Sequence, residues 1–576
     1  MKEKLYLGTI IFVSLFLNIY GINWGLPNEN RKNIFPDKGL IKEWSGLLKE
    51  EREEIYQKTG GNPIFYGYWL KKRHLLKKEE EIIRIPPYKK GEVPTKEQLH
   101  IVRPYLLRSH HPDEQVTLSA IAGMKPGKLD FNPHFFQYGG FYIYSVAIAL
   151  KLASMMGFIT LKSDIGYYFL NPSEMGKFFI VGRFLGIISV VFSIILLYFI
   201  GKELFSKRIG LLASLFFAIV PCNVIYPHEL KPHTFGIVWA LASFYASIMV
   251  LKNKGKKWYF FGGVSAGLSA GTSLFYGSTF ISIFLAHIIN KKGDFRLLVL
   301  AILGGLLGFF GTNPYWLVCP KEVLGTIGHS RDWYPSYLTI YTFFSYYTVA
   351  LKYGVRTPLL VLIGAGVIYS LFKHKKEDFL VLGLVLPYLF YISFEVAGGL
   401  SYGEIRYALH IVPLLLLLAA RFIDALVCVF YKKPIFIAIF LIVGYTFLYS
   451  FSSSLNFAKD ATNENTRNKS AKWISSSLKK GESIGAAYLP QPSCFPPFDF
   501  LNYELIIIDE HAFQKPMEEL PNYFILSGIV PSSYYKNILK RYNEIKRFDP
   551  ILSFFGIPFS DQFTFANHTV QIFKKK

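Results

Sequence analysis

The stretch FFIVGRFLGIISVVFSIILLYFI, residues 178–200, decides the fold. Its 23 residues are almost unbroken in apolar character, which is the length a helix needs to cross about 30 Å of hydrocarbon. It shows none of the alternation of a barrel strand, and in lipid only helices and closed barrels satisfy the backbone. Blocks of the same kind recur on both sides, with few or no charges. Candidate spans are about 5–22, 178–200, 210–226, 234–251, 258–274, 275–290, 297–316, 356–372, 379–397, 408–427 and 434–453. The chain therefore reads as an all-α polytopic membrane protein of about eleven spans. The composition agrees, since 51% of the 576 residues are hydrophobic, 17% are aromatic and only 18% are charged.

A net charge of +23 suggests a nucleic-acid or anionic-lipid partner until the charges are located. With Lys2 and Lys4 in the cytoplasm, counting crossings puts five short basic loops on one side. They are 201–209 (Lys202, Lys207, Arg208), 252–257 (Lys252, Lys254, Lys256, Lys257), 291–296 (Lys291, Lys292, Arg296), 373–378 (Lys373, Lys375, Lys376) and 431–433 (Lys432, Lys433). That is the positive-inside pattern, so the charge sets orientation and no nucleic-acid partner is implied. The tight pair 258–274 and 275–290 has almost no loop, and the parity of every later span depends on it. Met1 to Tyr20 has the form of a signal peptide but no small-residue cleavage site follows, so it reads as a retained first span at 1–22. Cys222, Cys319, Cys428 and Cys494 have neither disulfide-framework nor zinc spacing.

The stretch Phe135 to Ile159 is long enough to span, but counting it would invert every basic loop downstream. It is placed as an interfacial or re-entrant helix at about 135–159, with Phe135, Phe136, Tyr138, Phe141, Tyr142 and Tyr144 at headgroup level. Three segments then lie outside: a large first loop at 23–177, the loop 317–355, and everything from 454 to 576. The 178–453 stretch is the bundle. Within the first loop, residues about 30–108 read as a solvated helical insertion rich in Lys and Glu, as in Lys49 to Glu54 and Lys77 to Glu81. The tail alternates short apolar runs (Ile506 to Ile508, Tyr523 to Leu526) with Pro, Gly and charges, and has a helical stretch near Ala471 to Leu478. It reads as a compact extracytoplasmic α/β domain.

Polar clusters gather on the outer side. In Ser109-His110-His111-Pro112-Asp113-Glu114-Gln115, Pro112 can open a helix with both acids complementing its dipole. The same two carboxylates beside a membrane can equally be functional. His110 and His111 add donors for a divalent metal, without a metal-binding spacing. Tyr226-Pro227-His228-Glu229-Leu230-Lys231-Pro232-His233 faces the same side, where Lys231 can snorkel or act. In Ser401-Tyr402-Gly403-Glu404-Ile405-Arg406-Tyr407, Arg406 at an outer helix end runs against the charge bias, which favours an anionic partner. Loop 317–355 supplies His329, Arg331, Asp332, Trp333, Tyr334, Tyr337, Tyr341 and Tyr346, a binding surface or an interface belt.

Taken in order, these clusters resemble the type C glycosyltransferases that use polyprenyl-phosphate sugars, nearest to the protein O-mannosyltransferase and lipid A aminoarabinose transferase group. The stretches that carry the resemblance begin with Trp24-Gly25-Leu26-Pro27, His111-Pro112-Asp113-Glu114 and Asn132-Pro133-His134-Phe135. Gly182-Arg183-Phe184, Gly201 to Phe205, Gly210 to Ala213 and Gly308 to Tyr315 follow, then Arg406-Tyr407 and Thr466 to Ile474. Three departures stand out. About 80 residues look inserted before Asp113, Lys231-Pro232 is followed by His233 where relatives often have Asp, and no Lys lies in Ser269 to Gly277.

The resemblance implies transfer of a sugar from a polyprenyl-phosphate donor to an acceptor hydroxyl of a protein, lipid or glycan at the extracytoplasmic face, with inversion. Asp113 would be the base, and Glu114 would orient Asp113 or the acceptor. Arg406 would hold the donor phosphate, with Lys231, His134 and His233 as further phosphate ligands and Glu229 as the second-loop acid. No cofactor is assigned beyond a possible divalent metal, and no nucleotide-binding motif is present. The expected setting is the plasma membrane of a prokaryote. The competing readings are a flippase of lipid-linked sugars, a surface-polysaccharide ligase or polymerase, and a non-catalytic scaffold. A flippase predicts charges within spans, and a ligase a large late outer loop.

Overall fold

The computed structural model describes residues 2–58, 82–290, 294–333, 340–395, 402–431, 433–462, 464–508, 513, 515–528, 532–550, 553–554, 557–558 and 567–576. Lys77 to Glu81, Tyr334, Tyr337 and Ser401 lie outside these, as do the side chains of His329, Arg331, Asp332, Trp333, Tyr341 and Glu404.

Among the described residues five helices are long and apolar enough to cross a membrane: Pro172–Leu204, His233–Leu251, Lys376–Glu395, Val412–Phe430 and Ile435–Thr462. Two broken pairs pass the same test. Lys207–Ile219 bends by 60° into Pro221–His228, where Pro221 interrupts the backbone ladder, and Phe343–Val355 bends by 115° into Thr357–Lys373. Length and composition alone thus support five to seven crossings rather than eleven. The other four stretches read as spans, at Lys2–Ile19, Lys257–Ala270, Leu274–Asn290 and Arg296–Thr312, are helical too. They are shorter or begin on charged residues.

Contacts sort the helix ends into two groups. At one end Glu3 pairs with Lys202 and Lys207 at 3.4 and 2.9 Å, and Lys252 with Glu203 at 2.7 Å. Asn253 bonds Asn290 there at 2.9 Å, and Arg421 pairs with Asp378 while lying 4.3 Å from the Phe205 ring. At the other end His228 Nε2 bonds the Tyr20 carbonyl at 3.1 Å, and Gly140 N–H donates to Asn313 Oδ1 at 2.6 Å. There too Tyr276 hydroxyl donates to the Arg406 carbonyl at 2.7 Å. The pair at 257–270 and 274–290 therefore runs in opposite directions, broken at Gly271 to Ser273. Helices 257–270 and 296–312 approach backbone to backbone because both carry glycines four apart. A Cβ on Gly263 would sit 2.0 Å from the Ala301 carbonyl oxygen, and one on Gly308 would sit 2.5 Å from that of Val264.

The helix Gly140–Met155 lies at the second end, docked through Gly139 N–H to the Thr272 carbonyl at 2.9 Å. Its exposed face carries Ile148, Leu152 and Met155.

Beyond that end lies a six-stranded sheet in the order Ile82–Ile85, Glu504–Ile508, Ser483–Ala486, Tyr523–Ser527, Val570–Lys575, Tyr542–Phe548. The two pairings made by 483–486 are parallel, and the other three antiparallel. One edge strand comes from the first loop, with Ile82 opposite Ile508 and Ile85 opposite Leu505. The solvated insertion expected at 30–108 is therefore corrected. Helix Leu40–Lys58 carries the charged run, yet its Leu40, Trp44 and Leu48 fall on one face, each four residues from the next. That face packs with Ile85, Val102 and Tyr105 against Ile474, Ile484, Phe498 and Phe500 of the tail in one core. Glu51, from the same run, is buried against Arg103 and His100. The first loop and the tail complete each other. Trp44→Ala should therefore cost about 3–5 kcal/mol of local stability and expose the tail to protease, 400 residues away in sequence, without altering the bundle; limited proteolysis of the purified chain checks this.

Candidate functional site

The site is built on a buried ion pair. Glu114 and Arg183 are both without solvent exposure and meet twice at 2.8 Å, Nε to Oε1 and Nη2 to Oε2. Arg183 Nη1 donates to the carbonyls of Ile22 at 2.6 Å and Trp24 at 2.8 Å, and its guanidinium lies 5.5 Å from the Trp24 ring. Glu114 also accepts the Leu230 N–H at 2.7 Å and the Ser109 hydroxyl. The pair thus joins the end of the first helix, the 109–114 turn, the 229–231 turn and the helix Pro172–Leu204.

Asp113 and Lys231 are the chain neighbours of two of these groups, Glu114 and Leu230, and this brings them together. The helix begins at Glu114, two residues later than Pro112 suggests, and the Asp113 side chain makes no capping bond. Its Oδ2 instead faces Lys231 Nζ at 3.1 Å and Arg406 Nη1 at 3.3 Å. Lys231 Nζ lies also 3.2 Å from Glu229 Oε2 and 3.0 Å from His111 Nε2. The Asp113 N–H approaches the other ring nitrogen of His111 at 3.1 Å. A neutral imidazole accepts at only one nitrogen, so these two donors compete for it. Arg406 comes from a third element, the turn Tyr402–Ala408, and is steadied by the Tyr407 hydroxyl at 3.0 Å.

The electrostatics follow from this crowding. Burial by itself raises the Asp113 pKa, but Lys231, His111 and Arg406 outweigh it and hold the carboxyl well below the usual range. Burial pushes the Glu229 carboxyl up, against the pull of Lys231. Burial, with Lys231 beside it, keeps the His111 imidazole neutral well below its ordinary pKa. The Asp113 side chain is still 37% exposed, so the cluster opens to the outside on its acid.

Among the expected site residues, Asp113, Glu229, Lys231 and Arg406 share one cluster. Glu114 is turned away into the pair with Arg183. His233 lies beside the cluster, packed on the rings of Tyr138, Tyr226 and Tyr276. His134 is placed differently from its expected phosphate role. Its Nδ1 pairs with Glu322 at 2.8 Å, because the Asn132 side chain caps the His134 N–H and turns the loop onto the helix Pro320–Trp333. His110 and His111 diverge, His110 to Trp24 and Asn465 and His111 to Lys231. Among the described residues no three of His, Cys, Asp and Glu come together as a metal site. Arg183 and Ser109 carried no role in the sequence reading. A lone arginine inside an otherwise apolar block was the available signal, since such a charge must find a partner.

Fold and cluster together define a polytopic helical membrane protein with a charged site at one end of its bundle. Residues 175–317 match the sequence model of the dolichyl-phosphate-mannose-protein mannosyltransferases. This bears out the resemblance to type C glycosyltransferases, over a stretch that includes Glu229, Lys231 and His233 but neither Asp113 nor Arg406. Among solved structures the chain is similar to ArnT from Cupriavidus metallidurans bound to undecaprenyl phosphate, at 10% identity over 99% of this chain and 97% of that one, with a TM-score of 0.45. It is similar also to the Archaeoglobus fulgidus oligosaccharyltransferase in the apo form, at 12% identity over 74% and 67%, with a TM-score of 0.39. No curated protein matches it.

Removing one member of the buried pair leaves an uncompensated charge. Arg183→Met or Glu114→Gln should each cost about 3–5 kcal/mol, and the double variant should recover part of that loss. A double-mutant cycle on thermal unfolding in detergent reads the coupling.

Proposed function

We propose that the chain is a membrane glycosyltransferase that moves a sugar from a polyprenyl-phosphate donor to an acceptor hydroxyl at the extracytoplasmic face, with inversion and with Asp113 as the base. One observation carries this reading: a partly exposed carboxylate at the end of the bundle is flanked within 3.3 Å by a lysine and an arginine. The matched family is described by a dolichyl-phosphate sugar donor, which needs both kinds of group. The orientation is supported by the basic loops meeting at the opposite end.

The donor phosphate replaces Asp113 as the partner of Lys231 and Arg406, which also stabilise the charge it gains as it leaves. Asp113, relieved of its cations, then takes the acceptor's hydroxyl proton. The acceptor oxygen bonds to the anomeric carbon from the face opposite the phosphate, the carbon–oxygen bond to phosphate breaks, and polyprenyl phosphate departs with that electron pair. A lipid phosphate is a good leaving group, so a base on the acceptor side is the chief chemical need, worth about 10²–10⁴-fold. Glu114 positions the base without touching substrate.

Asp113→Asn should lower transfer from extracted lipid-linked donor by about 10²–10⁴-fold while polyprenyl phosphate still binds. Unchanged transfer would end the proposal. Arg406→Gln and Lys231→Gln should instead weaken binding of polyprenyl phosphate. The pH dependence has a definite sign. The base works only when ionised, and its cations hold it ionised far into acid in the empty enzyme. When phosphate takes those cations the pKa rises, so the acid limb of kcat should lie at higher pH than that of kcat/KM. Coincident limbs in the two profiles would argue against release of the base by the donor.

A further inference from the structure

His233 opens the helix His233–Leu251 two residues after Lys231, and only 4% of it is exposed. Its ring stands edge-on to Tyr138 and Tyr226, with centroids 6.3 and 5.7 Å away, and tilted to Tyr276 at 6.4 Å. Lys231, Arg406, Asp113 and His111 all act electrostatically on it, so it forms a wall of the site already described. Yet neither ring nitrogen has a hydrogen-bond partner among the described residues. Buried polar groups are rarely left so, because desolvation without a bond is costly. Tyr138 is half-buried, whereas Tyr226 and Tyr276 are buried.

We propose that His233, with Tyr138, Tyr226 and Tyr276, forms the subsite for the donor's sugar ring and selects a neutral pyranose. This rests on reading Asp113, Lys231 and Arg406 as the transfer centre. An imidazole with one N–H and one bare nitrogen matches neighbouring sugar hydroxyls, which both donate and accept. Tyrosine rings suit the apolar C–H face of a pyranose, as amphipathic walls with little side-chain entropy to lose. An amino sugar would bring an ammonium to a wall of one imidazole and three phenol rings that holds no carboxylate, the nearby Asp113 and Glu229 lying against Lys231. The same wall leaves the phosphate to Lys231 and Arg406, so sugar choice and lipid-phosphate affinity are separable.

The test uses the full chain in lipid nanodiscs with three probes: polyprenyl phosphate alone, polyprenyl-phosphate hexoses (mannose and glucose), and polyprenyl-phosphate 4-amino-4-deoxyarabinose. The wild-type chain should bind one hexose donor about tenfold or more tighter than the sugar-free lipid, the worth of one or two hydrogen bonds, and should disfavour the amino sugar. His233→Phe keeps the aromatic packing and should erase that difference, while sugar-free polyprenyl phosphate binds within about threefold of wild type. His233→Asn restores a donor and an acceptor and should recover most of the preference. The inference is overturned if His233→Phe keeps the hexose preference, or if the amino sugar binds best. Failure of every probe to bind, the sugar-free lipid included, would instead remove the transfer centre on which the inference stands.

Discussion

Glu114 and Arg183 take two full charges out of contact with water, and the arrangement is tolerable only because both groups are densely hydrogen-bonded. The guanidinium meets both carboxylate oxygens and two backbone carbonyls, and the carboxylate also accepts a backbone N–H and a hydroxyl. Such a pair adds little net stability over a well-packed apolar replacement. It specifies register. Four segments far apart in sequence can satisfy these two charges in only one mutual arrangement, and any slip leaves a charge buried without its bonds. Asp113 and Lys231 inherit their places from that arrangement, being bonded in the chain to its members.

The site therefore separates two tasks between adjacent residues. Glu114 is committed to holding, fully enclosed and spent on Arg183. Asp113, one residue earlier, keeps an exposed side and is paired with Lys231 and Arg406. The first loop and tail domain enclose the same end of the bundle in a single hydrophobic core.

Several of these features can be read from composition and spacing. The apolar blocks and the basic loops between them needed only the bilayer as solvent. The outer cluster was legible because Asp113, Lys231 and Arg406 are charges at apolar-block ends, where charge is expensive. Arg183 obeyed the same rule inside a block and was overlooked. The amphipathic stripe Leu40, Trp44, Leu48 was visible beneath the charges of the first loop, and the density of Lys and Glu around it pointed toward solvent instead. A histidine next to an aromatic interfacial stretch looks like a ligand, and its partner is not legible in the sequence: the Asn132 side chain accepts the His134 N–H, and the ring meets Glu322.

Sequence alone determined that this chain must lie in a membrane, which helix ends carry the orienting charge, and which polar residues stand at the other end. Those follow from transfer free energies that act residue by residue, independent of partners. The tertiary structure decided which of those polar residues meet. It paired Glu114 with Arg183 rather than with substrate, set Lys231 and Arg406 on the same oxygen of Asp113, and joined strand Ile82–Ile85 to Glu504–Ile508. Such pairings depend on loop closures across tens to hundreds of residues and on a competition for buried partners, and no local pattern records which candidate wins.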